Sequence, residues 1–243
     1  MTPERFKRIT DMLAMRQLDL TVCMEEVHKP HNLAAIVRTA DAIGVHRVHA
    51  VWPRTRIAKR KGTARGSQNW VDVKLHPDIH TAVAELKAAG MQILATHLSE
   101  SSVDFRTIDF TKPTAILLGQ EKFGITEAAL ALADHHIVVP MVGMVQSLNV
   151  SVAAAAILYE AQRQRELAGC YQRGCPLPAE EQNAILFEGG HPIFARICKQ
   201  KDLPYPQLGE QGEILADEEW WQKVQMSRAS WEHLDDEDEL PEE

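Results

Sequence analysis

Cysteine is scarce in this 243-residue chain: four residues, at positions 23, 170, 175 and 198, with no CxxC spacing. A chain of this length can bury a core without disulfide staples, so the composition predicts reduced thiols and a cytoplasmic location. Long apolar runs are missing too. The longest covers residues 152–159, far short of the ~20 that span a bilayer, and the opening MTPERFKRIT has no apolar stretch of the signal-peptide kind. A soluble protein with no membrane partner is expected. No strand-like run is followed by GxGxxG, and there is no GxSxG elbow, which removes the signals of a dinucleotide fold and of a serine hydrolase. In GQEKFGIT (119–126) the glycines and Thr126 have phosphate-loop spacing, but Ile125 stands where a lysine must reach the phosphates, so a nucleotide triphosphatase is excluded. The eleven histidines include the pairs His28/His31, His46/His49 and His135/His136. None is joined by cysteine or carboxylate at a zinc spacing, and no metal is expected.

Apolar residues make up 45% and charged residues 25%, an ordinary globular composition. The net charge of −8 argues at first against a nucleic-acid partner, but it is unevenly spread. Residues 208–243 carry −11, whereas residues 1–65 carry +7 and include a basic loop at 54–65. A basic front with an acidic tail suggests an anionic partner for the front.

Residues 2–18 read as a helix with Thr2 as cap and Pro3 in the first turn. Strand-like runs follow at 20–26, 45–52, 71–75, 91–98, 113–119 and 135–140. Helices are predicted at 32–44, 78–90 and from about 149 to 168, with Gly44 and Gly90 as stops. Near-continuous apolar strands alternating with helices predict an α/β fold, a parallel sheet covered on both faces. Beyond Gly169, two short helical stretches (179–187 and 192–201) flank a Gly-Gly break, and a tryptophan-bearing stretch lies around Trp220 and Trp221. The expected division is an N-terminal helix (1–18), a catalytic domain (19–169), a C-terminal helical extension (170–233) and a disordered acidic tail (234–243).

Three segments have the makings of a site. In HKPHNLAAIVRTAD (28–41), Asn32 is placed to cap a helix, and Arg38 lies about 240° further round it, off the same face. In GQEKFGIT the glycines permit a turn that brings Glu121 to the carboxyl end of the sheet. In VPMVGMVQSLNVSVAAAA (139–156), Ser147 and Asn149 fall at a helix N-terminus, where amides and hydroxyls can meet a carboxylate or a ribose. Taken singly, each also reads as a plain cap, a solvated arginine or an ordinary turn.

In order and together, NxxAxxRTAD, LLGQEKFGI and VPMVGMVQSLNVSVAAA resemble the three motifs of the SpoU branch of the SPOUT RNA methyltransferases. The N-terminal helix, YEAQRQR and the LFEGG…LPYP region are similar to its tRNA-methylating members, and the resemblance extends to about residue 226. It implies a SPOUT-type fold with a deep C-terminal trefoil knot, a homodimer with the active site near the subunit interface, and S-adenosylmethionine bound in the knot. By position it makes Thr96, Gly119, Val139 and Leu148 the cofactor pocket. Asn32 and Arg38 are the residues of the first motif, Glu121 of the second, and Ser147 and Asn149 of the third. The implied reaction is methylation of the ribose 2′-hydroxyl of guanosine 18 in the tRNA D-loop.

A guanidinium with a pKa above about 12 is a poor base. Arg38 is therefore read as the group that holds the substrate phosphate and hydroxyl and stabilises developing charge. Asn32 and Glu121 would orient it. Among basic residues, Arg8, Arg16, His31, Arg163 and Arg165 are the expected tRNA contacts. Two rival readings stay open: a SpoU-type enzyme acting on ribosomal RNA, and a catalytically silent RNA-binding protein of the same fold. Those rRNA enzymes often carry a separate N-terminal RNA-binding domain, whereas about 18 residues precede the first strand here. The acidic tail is expected to compete with tRNA for the basic face.

Overall fold

The computed structural model describes residues 1–27, 29–52, 70–120 and 122–225. His28, Glu121, the basic loop at 54–65 and the acidic tail at 234–243 lie outside the described residues.

In chain order the elements are α1 (Pro3–Ala14), β1 (Leu20–Glu25), α2 (Pro30–Ala42), β2 (Arg47–Val51), β3 (Asp72–His76), α3 (Ile79–Ala88), β4 (Gln92–Thr96), β5 (Val103–Asp104) and β6 (Thr114–Leu118). There follow α4 (Glu127–Leu132), β7 (His135–Val138), α5 (Val150–Leu167), α6 (Ala179–Gly190), α7 (Pro192–Lys201), β8 (Gln207–Leu208), β9 (Ile214–Leu215) and α8 (Glu218–Val224). Contacts divide the chain into two units, one of Met12–Pro176, the other of Met1–Asp11 with the chain from Leu177 onward. The first eleven residues thus group with the C-terminal helices.

The larger unit is built on a seven-stranded sheet in the order β3-β2-β1-β6-β4-β7-β5, every pairing parallel. Residues of β1 and β6, neighbours near its middle, are buried throughout. This follows from their alternation: Leu20, Val22, Met24, Ile116 and Leu118 feed one core, Cys23, Ala115 and Leu117 the other. Parallel strands need apolar side chains on both faces because crossover helices cover both. Here α2 and α5 pack on the first face, through Leu33, Ile36, Val37 and Ala40 and through Ala154, Ile157, Leu158 and Ala161. α3 packs on the second with Ile79, Ala82, Val83 and Leu86, joined by Ala129 and Leu130 of α4. The sets of α2, α5 and α3 each recur at i, i+3, i+4 and i+7, the apolar stripe of a helix on a core.

Two boundaries depart from the sequence reading. Asn32 does not cap α2: Lys29 holds the N-cap position and Pro30 the first turn, so Asn32 lies inside the helix, 2% exposed. Proline's fixed φ suits a first turn, and its missing N–H is one of the orphans there anyway. The glycines at 189–190 form the last turn of α6, which ends at Gly190 with His191 as its C-cap. In the smaller unit, α6, α7 and α8 close over Phe187, Ala195, Ile197, Cys198 and Trp220, with the short β8–β9 hairpin beside them. Among the described residues no helix is long and apolar enough to cross a membrane.

Candidate active site

In open parallel sheets, ligands collect at the carboxyl ends of the strands, where the loops diverge. A cavity of about 480 Å³ lies there, formed by the ends of β4 (Thr96, His97), β6 (Leu118, Gly119, Gln120) and β7 (Val138, Val139) with the start of α5. Thr96, Gly119, Val139 and Leu148, the four expected cofactor-pocket residues, all line it, as do Ser147 and Asn149. Its volume is in the range of small-molecule and cofactor sites.

Gly119 is required by close approach. A Cβ there would lie 2.3 Å from the carbonyl oxygen of Gly124 and 2.4 Å from the nitrogen of Ile125. The two limbs of the loop are tied by paired backbone bonds between Gln120 and Gly124, 2.9 and 2.8 Å long. At the far limb Thr126 caps α4 through its hydroxyl, which accepts from the Ala129 amide. The Thr126 hydroxyl and amide both donate to the buried Glu25 carboxylate, at 2.7 and 3.0 Å. Next to it, Gln120 Nε2 donates to Glu26 at 2.7 Å, and Glu26 itself holds a left-handed φ of +52°. Such strain in a non-glycine residue collects at functional ends of folds. Sequence reasoning missed Glu25, Glu26, Gln120 and His97. The paired carboxylates ending β1 were the one available signal, since an acidic residue at a buried strand position needs a partner.

The first and third motifs meet directly. Asn149 is the N-cap of α5, accepting from the Ser151 amide at 2.8 Å, and its Nδ2 donates to Oδ1 of Asn32 at 3.3 Å. Asn32 Nδ2 is buried and has no hydrogen-bond partner among the described residues. An unsatisfied buried donor costs about 1–3 kcal/mol, so this amide, one bond from a pocket-lining side chain, is a place for a ligand acceptor. Arg38 is exposed on α2 and makes no side-chain hydrogen bond or ion pair with a described residue. Its guanidinium is free to meet an anion.

The expected RNA contacts divide. Arg8 and His31 are exposed. Arg163 is exposed and grips Glu160 at 2.7 and 2.9 Å. Arg16 and Arg165 are corrected: they are 2% and 0% exposed, and neither can reach a phosphate. Arg16 donates to the carbonyls of Val45 and Trp70 and to Asp41. Arg165 places all five donor positions on Phe110 O, Gln17 Oε1, Asp19 Oδ1, Asp19 O and Lys112 O. These acceptors lie just before β1 and β6, at the end of the sheet opposite the cavity.

An all-parallel α/β sheet with a cofactor-sized cavity at its carboxyl edge defines a ligand-binding enzyme of the α/β class. The model of the SpoU rRNA methylase family matches residues 19–159, and that of the SpoU rRNA methylase C-terminal region matches 163–217. The chain belongs to the SpoU rRNA methylase family. It is 63% identical over 226 residues to the tRNA (guanosine(18)-2′-O)-methyltransferase of Escherichia coli K12, covering 93% of this chain and 99% of that protein. The crystal structure of the Aquifex aeolicus TrmH/SpoU tRNA modifying enzyme superposes with a TM-score of 0.70 at 43% identity, over 78% of this chain and 96% of that one. That of the SpoU methyltransferase AviRb from Streptomyces viridochromogenes with AdoMet gives 0.56 at 29% identity, over 62% of each.

Proposed function

We propose that this protein methylates the ribose 2′-hydroxyl of guanosine 18 in the tRNA D-loop, taking the methyl group from S-adenosylmethionine. The observation that carries this reading is the bond from Asn149 to Asn32, which joins the cavity to the helix that bears the free Arg38. Near-full-length similarity to a tRNA (guanosine(18)-2′-O)-methyltransferase supports the substrate, and the AdoMet complex of a SpoU relative supports the donor. The cavity fits that donor in size and place: residues ending β4, β6 and β7 line it, and the absence of a side chain at Gly119 lets the loop that forms one wall close on itself.

S-adenosylmethionine supplies an electrophilic methyl sulfonium, so the protein has to position the attacking oxygen and help it lose a proton. Arg38 holds the substrate phosphate and 2′-hydroxyl through its fork of donors and stabilises the negative charge that develops on the oxygen. Asn32, expected to orient Arg38, is bonded instead to Asn149, and the pair sets the start of α5 beside the cavity. Ser147 shapes the rim, and orienting Arg38 is the role left to Glu121. A phosphate oxygen or water accepts the proton. Arg8, His31 and Arg163 hold the tRNA. The enzyme works as a cytoplasmic homodimer with the trefoil knot of its family. Val142, Met144 and Val145 beside the cavity are wide open in the single chain, which supports coverage by a second copy.

The deciding experiment incubates the protein with labelled S-adenosylmethionine and total cellular RNA and maps the methylated nucleotide. Label at the ribose of tRNA guanosine 18 is the expected result. Label on ribosomal RNA alone would reassign the substrate, and no label with intact cofactor binding would leave a silent RNA-binding protein.

A further inference from the structure

The sequence pairs His46 with His49 by proximity, but the fold pairs His49 with His76. His49 on β2 and His76 on β3 project to the face of the sheet covered by α3. There His49 Nδ1 and His76 Nε2 face each other at 2.8 Å. The rings are 5.1 Å apart between centroids and 17° from parallel, so they meet edge to edge, nitrogen to nitrogen. Both histidines are buried, 5% and 2% exposed. Burial, with the neighbouring imidazole second, holds His49 down at about 4; burial first also lowers His76. Across the 2.8 Å contact one facing nitrogen carries the proton and the other its lone pair. From α3, Glu85 brings a carboxylate so that the three ligand atoms lie within 4.8 Å of one another. A cation already rests on that carboxylate, the Lys74 ammonium at 2.7 Å, on a side chain 42% exposed that can swing into water.

We propose that His49, His76 and Glu85 form a binding site for one divalent metal ion of the zinc class, distinct from the methyl-transfer cavity. Two imidazoles and a carboxylate are a donor set that suits zinc and leaves a fourth position for water. On binding, the proton between the rings moves to the outer nitrogen of its own ring, Lys74 swings away, and the ring nitrogens part slightly to admit the ion. The cavity lies on β4, β6 and β7, so nothing in this inference depends on the methylation reading.

The test is calorimetric titration of the full, chelator-stripped chain with Zn²⁺ alone, with Co²⁺ absorption as a second probe of geometry. One equivalent per chain and the visible bands of low-coordinate Co²⁺ are expected. Glu85→Gln should weaken binding at least about tenfold, His76→Ala should abolish it, and Lys74→Ala should tighten it by removing the competing ammonium. Glu85 and Lys74 are half-exposed, so those variants keep the result readable if His76→Ala does not fold. No stoichiometric uptake of either metal, or uptake unchanged by Glu85→Gln, overturns the proposal.

Discussion

Arginines of equal charge meet opposite circumstances in this chain, and the difference dictates what their removal does. Arg38 is exposed and makes no ion pair among the described residues, so its replacement should leave the fold alone. Arg38→Lys keeps the charge but loses the two-pronged fork. Single-turnover methylation of tRNA should fall by about 100-fold or more with cofactor affinity unchanged, since removing one donor to a developing oxyanion costs about 10²–10³. Near-wild-type turnover would refute the role given to Arg38. Arg165 is the reverse case. Arg165→Met strands acceptors around a buried guanidinium, two of them fully buried, and should cost about 1–3 kcal/mol in urea unfolding. The protein that stays folded should bind tRNA as before, because the guanidinium is 0% exposed. Cys23 supplies a third measurement. Burial, and then the Glu25 charge, push its thiol from 9.0 to about 12. The folded state keeps a proton that the unfolded state releases above about pH 9, so this group withdraws stability as pH rises past that point. Iodoacetamide at pH 8 should label the half-buried Cys175 first and Cys23 only on unfolding.

Elements rather than single side chains make the cavity, and the loop after β6 is the tightest of them. Gly119→Ala would drive a methyl group into the Gly124 carbonyl. The loop would have to open, and calorimetry should register loss of S-adenosylmethionine binding while β6, buried throughout, keeps its place. Wild-type affinity would show that the approach is not needed. The sequence made the strands and long helices legible because apolar runs and helical periods are local signals, and the four residues that the resemblance assigned to a cofactor pocket all line one cavity. Asn32 was misread because a cap-forming residue at the right distance looks like a cap until Pro30 claims the first turn. β5, β8 and β9 have two residues each, too few for a period to show. The burial of Arg16 and Arg165 was illegible for a deeper reason: formal charge is local, whereas the acceptors that receive it come from residues 25 to 148 positions away.

At the scale of the molecule, the net charge of −8 belongs to no surface. With Arg16 and Arg165 withdrawn from the expected tRNA contacts, Arg8, His31 and Arg163 remain exposed to meet RNA. Filter binding between about 50 and 200 mM salt should still show tRNA affinity falling at least about tenfold, because each phosphate neutralised releases counterions. A flat response would remove electrostatics from the recognition.

Helix α5 is fastened at both ends, by Asn149 to Asn32 beside the cavity and by Arg165 beneath the opposite edge of the sheet. A strut pinned twice cannot slide, so the position of Asn149 is set in part by a residue four turns away that no substrate touches. Descendants of this protein could not adjust the pocket by shifting that helix without unfastening the sheet. Within the single chain the stretch between β7 and α5 has no such pin, since Val142 and Met144 touch almost nothing there, and only a second copy laid over it would hold it in place.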